Sequence, residues 1–179
     1  MSTYPIRSRL IDIARRDVGK TEVSKNRAPW IKKLWEATNY PDGMENREPY
    51  CAAGVAYCVS EWCKLSEVRA AFGMSGSQLE KWRCKSASVF SANYNWVGWA
   101  RDKGLRFINP AKGVFHTGDL IVFKYSHLEI YVTDSDVLAN DGILNIGYNT
   151  DDGAVRDGDG CFEKPRTRTK ILHVIRMME

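Results

Sequence analysis

The hydrophobic pattern of this chain changes period part-way along, and that change limits the folds open to it. Ile6, Leu10, Ile13, Ala14 and Val18 recur at helical spacing, and Gly19 stops the run. Pro29 to Thr38 reads as a second helix with proline in its first turn. Residues 39–48 are polar, carry Pro41 and Gly43, and read as a loop. A third helix is expected from Cys51 to about Lys64, with Cys51, Val55, Cys58, Val59 and Trp62 on one face. Residues 65–87 show no clear period, and Ser88 to Lys103 reads as a further helix ending at Gly104. After that the period falls to two. Strands are expected at Asp119–Lys124, His127–Thr133, Ile143–Tyr148 and Ile171–Met177, with a long Gly/Asp-rich loop from Asp151 to Lys164. Helices first and an antiparallel sheet second make an α+β domain.

At 179 residues the chain fits one domain, residues 1–179, and no repeat or linker divides it. With 44% hydrophobic and 27% charged residues, it falls in the ordinary globular range rather than the disordered one. The net charge of +4 suits an acidic partner such as a cell-wall polymer and is too small to argue for nucleic acid. No stretch is long and apolar enough to span a membrane, so no membrane insertion is expected. Met1–Arg7 lacks the apolar core of a signal peptide, so synthesis in a cytoplasm is expected, with another exit if the protein acts outside.

Five cysteines, an odd number, argue against a disulfide framework in such a compartment. There is no CxxC pair, and His116, His127 and His173 are scattered. Asp151, Asp152, Asp157 and Asp159 miss the EF-hand spacing. No metal and no other cofactor is expected.

The chemistry concentrates elsewhere. In Glu48-Pro49-Tyr50-Cys51-Ala52-Ala53-Gly54-Val55, a proline-led turn runs into a helix that starts at the cysteine. A helix N-terminus favours thiolate over thiol. Cys58 and Cys63 lie further along the same helix and read as packing residues. On the expected strand after residue 126, Leu128, Ile130 and Val132 point one way, and His127, Glu129, Tyr131 and Thr133 the other. His127 therefore faces solvent or a second layer, the helices that carry Cys51. The second arrangement delivers an imidazole to the thiol as a base. Asn149, ending the next strand, could fix the tautomer, or it could be a turn residue before Thr150-Asp151. Glu129 is its rival, two residues beyond the histidine on the same face.

Taken in order, these stretches resemble the CHAP amidase/peptidase family, within the NlpC/P60-like, papain-like peptidoglycan hydrolases. Ala14 through Gly19 to Glu22 and Asn26 is similar to the family's leading helix and loop. Glu48 to Val55 resembles the nucleophile helix. Gly118-Asp119-Leu120-Ile121-Val122-Phe123 leading to His127-Leu128-Glu129-Ile130-Tyr131-Val132 resembles the histidine hairpin. Gly147-Tyr148-Asn149-Thr150, onward through Gly158-Asp159-Gly160 to Arg166, resembles the closing strands. The resemblance implies N-terminal helices packed on a C-terminal antiparallel sheet in a papain-like fold. It implies Cys51 as nucleophile, His127 as base and Asn149 as the late polar residue. Two positions depart from it: many members carry glutamate where this chain has Gly147, and glycine where this chain has Glu129.

The expected function is then hydrolysis of an amide in peptidoglycan. The bond is either N-acetylmuramoyl–L-alanine or one within the stem or cross-bridge. The oxyanion would be held by the Cys51 backbone N–H and the Tyr50 side chain, and Trp30, Trp35, Trp96 and Tyr148 are candidates for a substrate groove, at least half of these tryptophans being expected in the core. A monomeric phage endolysin released by a holin, or an injected effector with an immunity protein as partner, fits this reading. Acyl transfer to, or deamidation of, a protein glutamine is the alternative from another class, and a non-catalytic wall-peptide-binding module is a third.

Overall fold

The computed structural model describes residues 4–90, 93–134, 142–150 and 158–179. Six helices come first: α1 (Tyr4–Arg15), α2 (Lys32–Glu36), α3 (Cys51–Cys63), α4 (Ser66–Phe72), α5 (Gly76–Trp82) and α6 (Trp96–Asp102). Six strands follow: β1 (Arg106–Ile108), β2 (Leu120–Phe123), β3 (His127–Asp134), β4 (Gly142–Thr150), β5 (Gly160–Thr167) and β6 (Ile171–Arg176). They form one antiparallel sheet in the order β1-β6-β2-β3-β4-β5. The order of helices and sheet is the one expected from the change of period.

Several boundaries differ from the sequence reading. The second helix opens as a 3-10 turn, Pro29–Ile31, and ends at Glu36. The helix expected from Ser88 begins only at Trp96, because the Asn95 side chain accepts from the Gly98 N–H at 2.8 Å and caps it there. The unassigned stretch holds α4, ended by left-handed Gly73, and α5, started by a Ser75–Gln78 capping box. The expected loop is a strand from Gly160 onward. Its ladder with β4 runs from Thr150↔Gly160 to Gly142↔Thr167, and Glu163, Lys164 and Pro165 had hidden it as polar and proline-broken sequence. The aspartates at 151, 152 and 157 lie outside the described residues.

Alternation divides the sheet's apolar residues between two clusters. Leu120, Val122, Leu128, Ile130, Ile146 and Tyr148 pack with Leu10 and Ala14 of α1 and with Val55, Val59 and Trp62 of α3. Ile121, Phe123, Tyr131, Ile143 and Val174 pack with Ile108 and Phe115 on the other side. Each fully buried aliphatic or aromatic side chain contributes on the order of 1.5–3 kcal/mol. The approach of α3 to β4 depends on Gly54, where a Cβ would lie 2.1 Å from Cγ of Tyr148.

Candidate active site

Cys51 is the first residue of α3. The carbonyl of Tyr50 accepts the Gly54 N–H at 2.9 Å, so the helix begins where the proline-led turn placed it. The sulfur is almost enclosed, at 5% residue exposure, yet it lies on the floor of a cleft of about 550 Å³. Trp35, Tyr40, Glu48, Ser88, Tyr94 and Ser126 line that cleft. Burial alone would push the thiol pKa up. The charge of the neighbouring His127 ring outweighs burial, helped by the backbone N–H groups of Leu128 and Ala52, and the thiol ends below its ordinary value.

His127, the first residue of β3, is fully buried. Its strand neighbours Leu128 and Ile130 join the cluster under the helices, whereas His127 sits among the opposite set, with Phe123 as its cross-strand partner. The ring faces neither solvent nor the helix layer squarely. It meets Cys51 because both residues open their elements side by side. Tyr125 stacks on the ring at 5.9 Å and Phe123 stacks on Tyr125 at 5.2 Å, closing that side to water. Burial would lower the imidazole pKa. The Cys51 thiolate, and after it Glu129, raise it instead to about 9.

The orienting group is Glu129. His127 Nε2 and Glu129 Oε1 are 3.1 Å apart. Burial would push this carboxyl up, but His127 and then Arg166 hold it at about 2. It is therefore ionised, Nε2 is the donor, and Nδ1 is the nitrogen left to accept the thiol proton. Nδ1 is buried without a hydrogen-bond partner among the described residues.

Arg166 Nε donates to both Glu129 oxygens, at 3.0 and 3.2 Å, and its Nη2 donates to Thr150 Oγ1 at 2.7 Å. Asn145 Nδ2 donates to Glu129 Oε2 at 3.1 Å. Cys51, His127, Glu129 and Arg166 form a buried chain of alternating charge, in which each member offsets the desolvation of the next.

The sequence reading missed Arg166 and Asn145 and misjudged Gly147. Glu129 and Gly147 are direct partners in the β3–β4 ladder. A Cβ at position 147 would sit 2.5 Å from Glu129 Oε1. The two departures from the family pattern are one arrangement: a carboxylate on β3 and the space for it on β4. The register that pairs them was not legible in either residue alone.

The other candidates stand elsewhere. Asn149 is buried at a bulge in β4 with φ of 54°, and neither ring nitrogen of His127 hydrogen-bonds to it. The tautomer is held by Glu129, which corrects the expectation for Asn149. Tyr50 is fully buried and does not line the cleft; its hydroxyl has no hydrogen-bond partner among the described residues, and burial, then the neighbouring Glu22 carboxylate, push its pKa up. Trp30 packs edge-on against Tyr50 at 5.7 Å and lies 6.4 Å from Tyr148, below the start of α3. Tyr148 is fully buried and bonds Cys58 Sγ and Asp17 Oδ2, each at 3.1 Å. Trp96 is in the core, and Trp35 is the one groove candidate that reaches the cleft. Among the described residues no cluster of metal-ligating side chains occurs, and no helix is long and apolar enough to cross a membrane. No family model, curated protein or solved structure matches the chain.

Proposed function

We propose that the protein is a cysteine hydrolase that cleaves an amide bond in peptidoglycan. The observation that carries the reading is the line Cys51–His127–Glu129 at the floor of an open cleft, with the thiol lowered and the imidazole raised in pKa. His127 Nδ1 takes the thiol proton. The thiolate attacks the carbonyl carbon, and the oxyanion forms against the first N–H groups of α3, that of Cys51 included. The imidazolium gives its proton to the leaving amine as the C–N bond breaks. Water, deprotonated by the same ring, then cleaves the thioester and returns Cys51. Glu129 keeps Nε2 protonated throughout and stabilises the imidazolium.

The choice of peptidoglycan rests on the resemblance of the four sequence stretches to CHAP-type hydrolases, and with it the papain-like form of the helix-on-sheet packing. The exchange of carboxylate and glycine between positions 147 and 129 keeps that chemistry with the acid on the neighbouring strand. Delivery to the wall would be by release through a lysis pore or by injection. The test is digestion of purified peptidoglycans of several cross-link types by the intact protein and by Cys51→Ala, with products read by mass spectrometry. Fragments produced by the intact protein alone support the reading and identify the bond. Absence of fragments with every wall overturns it in favour of a protein substrate or a binding role.

A further inference from the structure

A second cavity, of about 500 Å³, opens at the far edge of the sheet, lined by Arg106, Phe107, Lys112, His116, Arg176 and Glu179 among others. We propose that it is a binding site for a small organic phosphate. Arg106 and Arg176 are direct partners across the β1–β6 ladder. Like charges placed opposite one another destabilise a sheet unless an anion lies between them.

The anions the protein itself supplies are unequal. Asp119 takes Arg176 Nε at 3.2 Å and Nη2 at 2.9 Å, and the Val114 carbonyl takes Nη2 at 2.8 Å. This guanidinium is buried and fixed, and its Nη1 makes no hydrogen bond among the described residues. Arg106 has only Glu179, at 3.4 Å, with both side chains about two-thirds exposed (64% and 66%), a pairing worth little and easily displaced. Lys112 makes no ion pair among the described residues.

His116 adds a directed donor. Arg7 Nη1 lies 3.0 Å from His116 Nδ1, and arginine can only donate. In the neutral ring the proton therefore sits on Nε2. Burial, then Arg176 and Arg7, lower the His116 pKa, while Asp119 and Glu179 oppose them. The cavity thus gathers Arg106, Lys112, His116 and Arg176 around the single carboxylate of its lining, Glu179. Arginine's fork suits phosphate oxygens. The volume exceeds that of a bare ion, and the Phe107 ring offers a surface for an organic portion.

The test uses the full chain and follows the His116 ring signals by NMR during titration with glycerol phosphate, inorganic phosphate and poly(glycerol phosphate). Saturable shifts with a Kd of about 1 mM or tighter for glycerol phosphate are expected. The His116 pKa should rise, since an added anion favours the imidazolium. Arg106→Ala/Lys112→Ala, both on the surface, should weaken binding at least tenfold with an unchanged circular dichroism spectrum. Equal or tighter binding of inorganic phosphate would overturn the organic class. Tighter binding of the polymer than of the monomer would identify a phosphodiester chain as the source, and equal binding per phosphate a free ester. Shifts that grow without saturating, or that persist in the double variant, overturn the site. None of these outcomes depends on the activity of Cys51.

Discussion

Cys51 and Cys58 lie two turns apart on α3, both buried, yet their environments drive them in opposite directions. Burial raises both thiols. At Cys51 the cation of His127 reverses the effect. At Cys58 burial leads, a hydrogen bond with the Tyr148 hydroxyl relieves it in part, the Asp17 carboxylate adds to it, and the thiol is pushed up to about 12. Asp17 is itself fully buried and held by Lys20 Nζ at 2.6 Å and Lys33 Nζ at 2.7 Å. Two positions on one helix show that burial does not decide whether a cysteine reacts. The sign of the charge packed against it does.

The largest effect should separate those two thiols. Cys51→Ala should reduce turnover by roughly 10⁴-fold or more, whereas Cys58→Ala should leave turnover within a few-fold and lower stability by about 1–2 kcal/mol. Iodoacetamide at neutral pH, mapped by mass spectrometry, should label Cys51 well before Cys58, Cys63, Cys84 or Cys161. Faster labelling of Cys58 would break the comparison.

Next in size is Glu129→Gln. Loss of the carboxylate should cost about 10²–10⁴-fold in kcat with the fold intact. The pH profile supplies a sharper readout. The His127 pKa is raised above its unfolded value, so the imidazolium is fully present below about pH 6.5 and is lost as pH rises through about 9. Activity of the thiolate–imidazolium pair should fall along that upper limb, and the limb should move to lower pH in Glu129→Gln. An unmoved limb would make Glu129 a packing residue only.

What the sequence disclosed follows the same physics. Cys51 was legible because a helix start is written locally, in Pro49 and the small residues after the cysteine. His127 was legible because alternation on β3 is local too. Its true surroundings were not: the reading offered solvent or the helix layer, and the ring instead stands on the other sheet face beside Phe123 and Tyr125. Asn149 drew attention by chain order, but which of two polar residues reaches a ring nitrogen is set by register between strands, and register is not local. Arg166 was named only as the end of the stretch resembling the closing strands, with no role, since its partner Glu129 lies two strands away. The short strand β1, and with it the opposed Arg106 and Arg176, left no pattern to find in three residues.

The glycines at 147 and 54 test the surroundings of the two thiols in turn. At Gly147 an added methyl meets the Glu129 carboxylate at 2.5 Å, and Arg166 and Asn145 leave that carboxylate little room to yield. Gly147→Ala should therefore lower kcat about tenfold, shift the upper pH limb downward and cost about 1–3 kcal/mol of stability; a loss of kcat without the shift would separate the space at 147 from the hold on His127. At Gly54 the methyl meets the Tyr148 ring at 2.1 Å, on the packed side of α3 and not at the Glu129 carboxylate. Gly54→Ala should cost about 1–3 kcal/mol, a fall of roughly 3–10 °C in Tm, while kcat measured well below that Tm stays within a few-fold. The smallest effect belongs to Tyr148→Phe, which removes the hydroxyl between Cys58 and Asp17 but keeps the ring against α3. It should cost about 1 kcal/mol and leave the Cys51 labelling rate unchanged. A Cys51 rate that moved with Tyr148 would mean the two thiols are coupled along α3, and the contrast between them would then be a property of the helix rather than of their separate partners.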